Sequence, residues 1–125
     1  MLSNDEIKTI ITALGTGIRD DFDEAIIPDA AYYLGEAEHA YWMQDGLASQ
    51  VPVDMQQFVV GAQNSINVDG AEWELMSDGF EVVPGVRVID TPGHTPGHMG
   101  LHLKRNGGEA ILIGDMIHHP LQIAD

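Results

Sequence analysis

The stretch Val86–His119, VRVIDTPGHTPGHMGLHLKRNGGEAILIGDMIHH, decides how this chain is read, because it holds five of the six histidines and an aspartate closing an apolar run. Apolar residues enter at Val86–Ile89 and give way to a loop that alternates Pro, Gly, Thr and His. A strand is expected at Met99–Leu103. A Gly-Gly turn then reverses the chain, and a third strand, Ala110–Gly114, runs into Asp115. Pro92 and Pro96 fix φ and remove amide donors, while Gly93 and Gly97 permit backbone conformations closed to residues with a β-carbon. His94 and His98 stand four apart, a spacing that on a helix could chelate one metal. The Pro and Gly between them argue instead for a rigid loop and its exit. Beyond it Met99, Leu101 and Leu103 fall on one face, with His98, Gly100 and His102 on the other. Ile111-Leu112-Ile113-Gly114 is apolar on both faces, the pattern of a buried strand. A carboxylate at the end of such a strand is costly unless a cation or donors meet it. Imidazole and carboxylate together make a zinc-type ligand set.

TPGHTPGH, followed by a strand, a turn and ILIGD, closely resembles the central motif of the metallo-β-lactamase superfamily, in its lactonase-type and organophosphate-hydrolase-type branch. The resemblance implies an αββα sandwich, two mixed sheets packed face to face with helices outside. It also implies a metal site in which the first loop histidine binds one metal and the aspartate after the strand bridges two. Carried onto this chain, the metal ligands are His94 and Asp115, and His98 takes a supporting position. His118 and His119, in the His-His-Pro that follows Asp115, are auxiliary candidates. A lone histidine is ordinarily a hydrogen-bonded loop residue, and that reading stands for His39 and His102. The implied cofactor is zinc or another divalent transition metal, and the implied chemistry is attack of metal-activated water on an ester, lactone or phosphotriester.

One part of the family pattern is missing. Family members place His-x-His-x-Asp-His after a buried strand ending in threonine, whereas Thr12 is followed here by Ala13-Leu14-Gly15-Thr16-Gly17-Ile18-Arg19-Asp20-Asp21. Ala13 and Gly15 stand where the first two histidines belong, and neither side chain coordinates a metal. The resemblance further implies strands, helices and a last metal-binding histidine beyond the span matched here. The expectation is a hydrolase-family chain with zinc binding weak or absent, with hydrolysis impaired or inactive, and with no catalytic residue assigned. The alternatives are a non-catalytic pseudoenzyme or binding module, and a truncated gene product.

Composition bounds the remaining possibilities. At 125 residues the chain is expected to form one partial domain, 1–125, large enough to bury about two-thirds of its unfolded surface. Cysteine is absent, so disulfides and thiolate ligands are excluded; a cytoplasmic setting is expected. No apolar run approaches the roughly 20 residues that span a bilayer, and the N-terminus lacks a basic, apolar signal pattern. Twenty acidic and five basic residues give a net charge of −15, which makes nucleic acid and anionic membranes poor partners. A small ester or lactone is the substrate expected of an active form. Segments missing relative to the family should leave an exposed sheet face or edge, which invites a homodimer.

Along the chain, Ser3–Glu6 forms a capping-box pattern. Thr9–Thr12 reads as a β-branched strand, although Ile7, Ile10 and Ile11 also fit helical spacing. IIPDAAYYLGEAEHAYW resembles the family's strand and helix after the metal loop, with a strand at Ala31–Leu34, a break at Gly35 and a helix over Glu36–Met43. Tyr32, Tyr33 and Trp42 either line a pocket or pack. Asp45–Pro52 reads as turns, and Asp54 is expected to cap a helix through Met55, Phe58, Val59 and Ala62. Glu72–Met76 and Phe80–Val83 are strand candidates around Ser77-Asp78-Gly79. The fold class expected is α+β: a partial αββα sandwich, a mostly antiparallel or mixed sheet with one or two packed helices.

Overall fold

The computed structural model describes residues 22, 24–27 and 30–123. The expectations for Ser3–Glu6, Thr9–Thr12, Ala13 and Gly15 fall outside them. Within the described residues the protein is α+β, with one two-stranded and one four-stranded sheet and a few short helices. It divides into two compact units, one ending at Leu34 and resuming over His39–Leu75, the other formed by Gly35–Glu38 and the chain from Met76 onward.

In the first unit, Tyr32 opens strand β1 (Tyr32–Gly35), which leads directly into helix α1 (Glu36–Trp42). Glu36 and Glu38 occupy the first turn of α1, where the positive end of the helix dipole favours carboxylates. Tyr32 is 3% exposed and belongs to the core, clustered with Ala25 and Val68. Its ring meets Trp73 edge-on at 5.3 Å, and its hydroxyl donates to the Ile27 carbonyl at 2.9 Å. Packing is therefore its use, not a pocket wall. Trp73, in β2 (Trp73–Met76), donates its indole N–H to the Ile66 carbonyl at 2.7 Å. The turn-rich Asp45–Pro52 stretch contains one short helix, α2 (Leu47–Gln50).

Asp54 does not cap the next helix. It lies inside a 3-10 turn, Val53–Met55, that runs into α3 (Gln56–Ile66), whose N-cap is Met55 without a side-chain bond. The Met55 N–H is already bonded to the Pro52 carbonyl at 2.9 Å. Tight i→i+3 bonding thus satisfies donors that a side-chain cap would otherwise meet. Asp54 contributes only its carbonyl, to Gln57 Nε2 at 3.3 Å.

The second unit holds the antiparallel sheet β3 (Glu81–Val83), β4 (Val86–Asp90), β5 (Met99–Arg105) and β6 (Gly108–Leu112), in that spatial order. The two strand candidates around Ser77-Asp78-Gly79 therefore do not pair with each other: β2 pairs with β1, and β3 with β4. Register places Val88 opposite Leu101 and Leu101 opposite Leu112, with Val86, Leu103 and Ala110 forming the parallel row on the same face. Val88 is 0% exposed and Val86 6%. The opposite face carries Arg87, His102 and Ile111 in one row, and Lys104 with Glu109 in the next. The period-2 pattern read for Met99–Leu103 is thus the pattern of the strand itself.

The structure departs from the sequence expectation at two places. The hairpin turn is Asn106-Gly107, both at positive φ (51° and 81°), and Gly108 already pairs with Arg105. Two residues at positive φ make the hairpin turn whose twist matches the flanking strands. The second correction concerns Ile111-Leu112, expected in a buried strand. β6 is the edge of its sheet and exposed throughout, with Ile111 at 55% and Leu112 at 50%. Apolarity on both faces indicates a strand meant to be covered, but burial needs a neighbouring layer. Among the described residues none covers this edge.

Candidate functional site

The loop between β4 and β5 and the turn after β6 lie at the same end of the sheet, because β4 and β6 both pair antiparallel with β5. That topology brings His94 to Asp115. The His94 Nε2 lies 3.7 Å from Asp115 Oδ2, and His118 Nε2 lies 3.3 Å from Asp115 Oδ1. One imidazole faces each carboxylate oxygen. The His94 and His118 rings are 5.1 Å apart between centroids. Asp115 is 64% exposed and His94 49%, so the buried carboxylate expected at the strand end is instead solvated. Attraction within this trio is correspondingly weak.

His98 does a different job. Its Nε2 accepts the Asp115 backbone N–H at 3.1 Å, so the ring proton sits on Nδ1. Nδ1 is 2.7 Å from Thr91 Oγ1 and 3.1 Å from the Thr91 carbonyl. Both nitrogens are engaged, and the neutral ring ties the end of β4 to the start of the Asp115 turn. His98 thus positions Asp115 and leaves no lone pair for a metal. His119 is also engaged: its Nδ1 accepts the Leu121 N–H at 3.2 Å and caps the 3-10 turn Pro120–Gln122. Gln122 reaches back, its Oε1 accepting the N–H of His118 at 2.7 Å and of His119 at 2.9 Å. His102 lies on the polar sheet face 3.7 Å from Glu109, which Lys104 also meets at 2.8 Å.

The loop carrying His94 closes on Thr95. The Thr95 carbonyl accepts the Gly93 N–H at 3.0 Å and the His98 N–H at 3.3 Å, while its hydroxyl donates to Glu38 at 2.7 Å. Thr91, Thr95, Glu38 and Gln122 were not singled out from the sequence. The threonines sit inside the TPGHTPGH motif, where a hydroxyl beside proline is the local signal of a group able to hold a Pro-Gly loop in shape. Glu38 lies 57 residues from Thr95, and no local pattern links the two.

The donor types at this site suit zinc, but their number does not. Two zinc ions need several protein donors each, and a catalytic site with an open position takes three. Among the described residues no group of three or more His, Cys, Asp or Glu is arranged to hold a metal ion. His94, Asp115 and His118 converge without forming such a shell, so the described residues by themselves do not fit the two-metal group that the resemblance implies. No catalytic step is assigned through one. The polar face of the sheet has an open depression of about 510 Å³ lined by Glu81, Gly85, Arg87, His102 and Lys104. Its cations are already ion-paired, Arg87 with Glu81 at 3.0 Å and Lys104 with Glu109.

The end of this antiparallel sheet thus gathers His94, Asp115 and His118 from the β4–β5 loop and the turn after β6, and comparison with known proteins places the arrangement in context. No family model matches the chain. Over 41 residues it is 39% identical to an N-acyl homoserine lactonase of Bacillus sp, a match covering 33% of this chain and 16% of that protein. Over the same length it is 37% identical to the N-acyl homoserine lactonase AiiA of Bacillus thuringiensis subsp. kurstaki, again covering 33% and 16%. Among solved structures, the hydrolase AbOPH of the beta-lactamase superfamily superposes with TM-score 0.63 at 27% identity, over 82% of this chain and 36% of that one. AidC, a dizinc quorum-quenching lactonase, superposes with TM-score 0.56 at 16% identity, over 83% and 38%. The fold and the 41-residue match make the chain similar to hydrolases of the metallo-β-lactamase superfamily. It spans little more than a third of the structures it resembles, and its matches cover about a sixth of the curated relatives. No described helix is long and apolar enough to cross a membrane.

Proposed function

We propose that residues 1–125 form one partial metallo-β-lactamase-like domain, drawn from a lineage of ester-, lactone- or phosphotriester-type hydrolases, that does not itself turn such substrates over. The lactonase relatives support a lactone as the substrate class of that lineage. The observation that carries the reading is the pairing of His94 with Asp115 at 3.7 Å at the end of the sheet, where the family resemblance puts two metal ligands. Against turnover stand the commitments of the other histidines. His98 is spent on Thr91 and Asp115, His119 on a cap, and His102 on Glu109. On this reading zinc binds weakly or not at all. His118, 3.3 Å from Asp115, is the auxiliary group nearest the pair.

The reading is tested by lactone hydrolysis with added zinc or manganese, comparing the chain with its His94→Ala and Asp115→Ala variants. The expected rate for all three equals that of metal-loaded buffer. A metal-dependent rate well above buffer and abolished by either substitution would overturn it. A binding module is the second reading, and the exposed edge strand β6 favours it. Two copies paired along β6 would satisfy its outward N–H and C=O groups; sedimentation at rising concentration reports whether they do.

A further inference from the structure

The strongest feature outside the histidine cluster is a carboxylate seated under the loop that carries it. Glu38 Oε2 accepts the Thr95 hydroxyl at 2.7 Å and the Gly97 N–H at 3.0 Å. These donors flank Pro96, which has no N–H to offer. One oxygen therefore collects the donors on either side of a residue that breaks backbone hydrogen bonding. The contact is close as well as polar. A β-carbon at Gly97 would run into the backbone of Glu38 and Ala37, so glycine is required for the loop to reach the first turn of α1. The two donors belong to residues that shape the loop from inside, because Thr95 also accepts from Gly93 and His98 through its carbonyl. His94 lies between Gly93 and Thr95. Its backbone is thus held by a small ring of bonds whose outer anchor is Glu38.

We propose that Glu38 is a positioning residue for the site. By fixing Thr95 and Gly97 it holds His94 facing Asp115 and keeps His98 where it can accept the Asp115 amide. Glu38 reaches the loop through its bonds to Thr95 and Gly97 and acts on His94 through the loop backbone. Hydrogen bonds to an ionised acceptor are the stronger kind, and both of these are partly shielded from solvent. Helix position explains the residue as well. Glu38 stands in the first turn of α1, where its charge is favoured by the helix dipole before any loop arrives. The inference rests on the reading of His94 and Asp115 as the site, but its test needs neither metal nor turnover.

The test uses the full chain and NMR of its imidazole groups and backbone amides. Glu38→Ala should move the His94 and His98 imidazole resonances and accelerate exchange of the Gly97 amide by about tenfold or more, as expected for loss of a bond to a charged group. Thr95→Val should move the same imidazole resonances, with Thr95→Ser restoring them. Glu38→Gln, which keeps an acceptor oxygen, should stay near the wild-type spectrum. Glu81→Ala, which removes a carboxylate from the sheet's polar face, serves as the control and should leave His94 and His98 unmoved. Unchanged imidazole signals and Gly97 exchange in Glu38→Ala would overturn the proposal, and so would the same changes appearing in Glu81→Ala. If Glu38→Ala does not fold, the threonine pair decides. A Thr95→Val spectrum matching wild type at His94 refutes the role, and a shift reversed by Thr95→Ser supports it. A chain that never hydrolyses a lactone leaves these spectra as they are, so the functional reading and this one fail separately.

Discussion

Replacing His98 gives a sharp test of how the site is built. The imidazole makes two commitments at opposite ends, Nε2 to the Asp115 N–H at 3.1 Å and Nδ1 to Thr91 at 2.7–3.1 Å. A neutral hydrogen bond is worth about 0.5–1.5 kcal/mol net, so His98→Ala should cost about 1–3 kcal/mol, read as a shift in the urea midpoint. The lower end applies if water replaces the ring at Asp115, whose amide is in an exposed setting. Two variants separate the ends. In His98→Asn the amide reaches roughly where Nδ1 was, keeping Thr91 and losing Asp115. In His98→Gln it reaches roughly where Nε2 was, keeping Asp115 and losing Thr91. Amide hydrogen exchange at Asp115 should quicken about fivefold in His98→Asn, the factor that about 1 kcal/mol carries, and stay near wild type in His98→Gln. Equal exchange at Asp115 in wild type, His98→Ala and His98→Asn would show that the turn after β6 holds itself and that His98 is a bystander.

Other consequences are simpler to state. Val88 is fully buried, so Val88→Ala should lower stability by about 2–3 kcal/mol from lost burial plus a residual cavity, with the denaturant slope unchanged. The Lys104–Glu109 pair should show a pH window. Lys104's hydrogen bond and charge hold Glu109 below the usual glutamate range, so its contribution is present above that range and fades as pH falls through the folded-state value. Glu109 in turn raises Lys104, whose contribution is complete below the usual lysine range and lost as pH rises through the raised value. Glu109→Gln should therefore matter only between those limits and less in high salt, as urea midpoints at acid and neutral pH, with and without salt, will show. Zinc should leave readily: after dialysis against chelator, metal analysis should find none retained, and two equivalents bound would mean that a second donor set exists.

The local reading of β5 followed from side-chain alternation alone, since Met99, Leu101 and Leu103 repeat every second residue and a strand's pleat turns that repeat into a face. The Pro-Gly loop was equally legible, because proline and glycine dictate backbone shape with little help from neighbours. β6 was legible as a strand but not in its burial. Ile111 and Leu112 say that a covering layer suits them, and only the arrangement of the sheet shows that β6 is its edge. Asp54 carries the short-range pattern of a helix cap, while the 3-10 turn that replaces that cap depends on where Pro52 enters.

What the amino-acid sequence determined by itself is the chemistry on offer: imidazoles His94, His98 and His118 beside the carboxylate Asp115, on loops made stiff by their composition. Which of those groups are free to act was decided only by the tertiary structure. His94 and His98 are the same residue type four positions apart in one motif, yet one faces the Asp115 carboxylate and the other is consumed by Thr91 and the Asp115 backbone. Glu38 gives the same lesson from farther away, 57 residues before the threonine it holds. Covalent order fixes the identity of donors and acceptors, but a hydrogen bond depends on direction and on a few tenths of an ångström. Those are set by sheet register and loop closure, which bring together residues that no local pattern pairs.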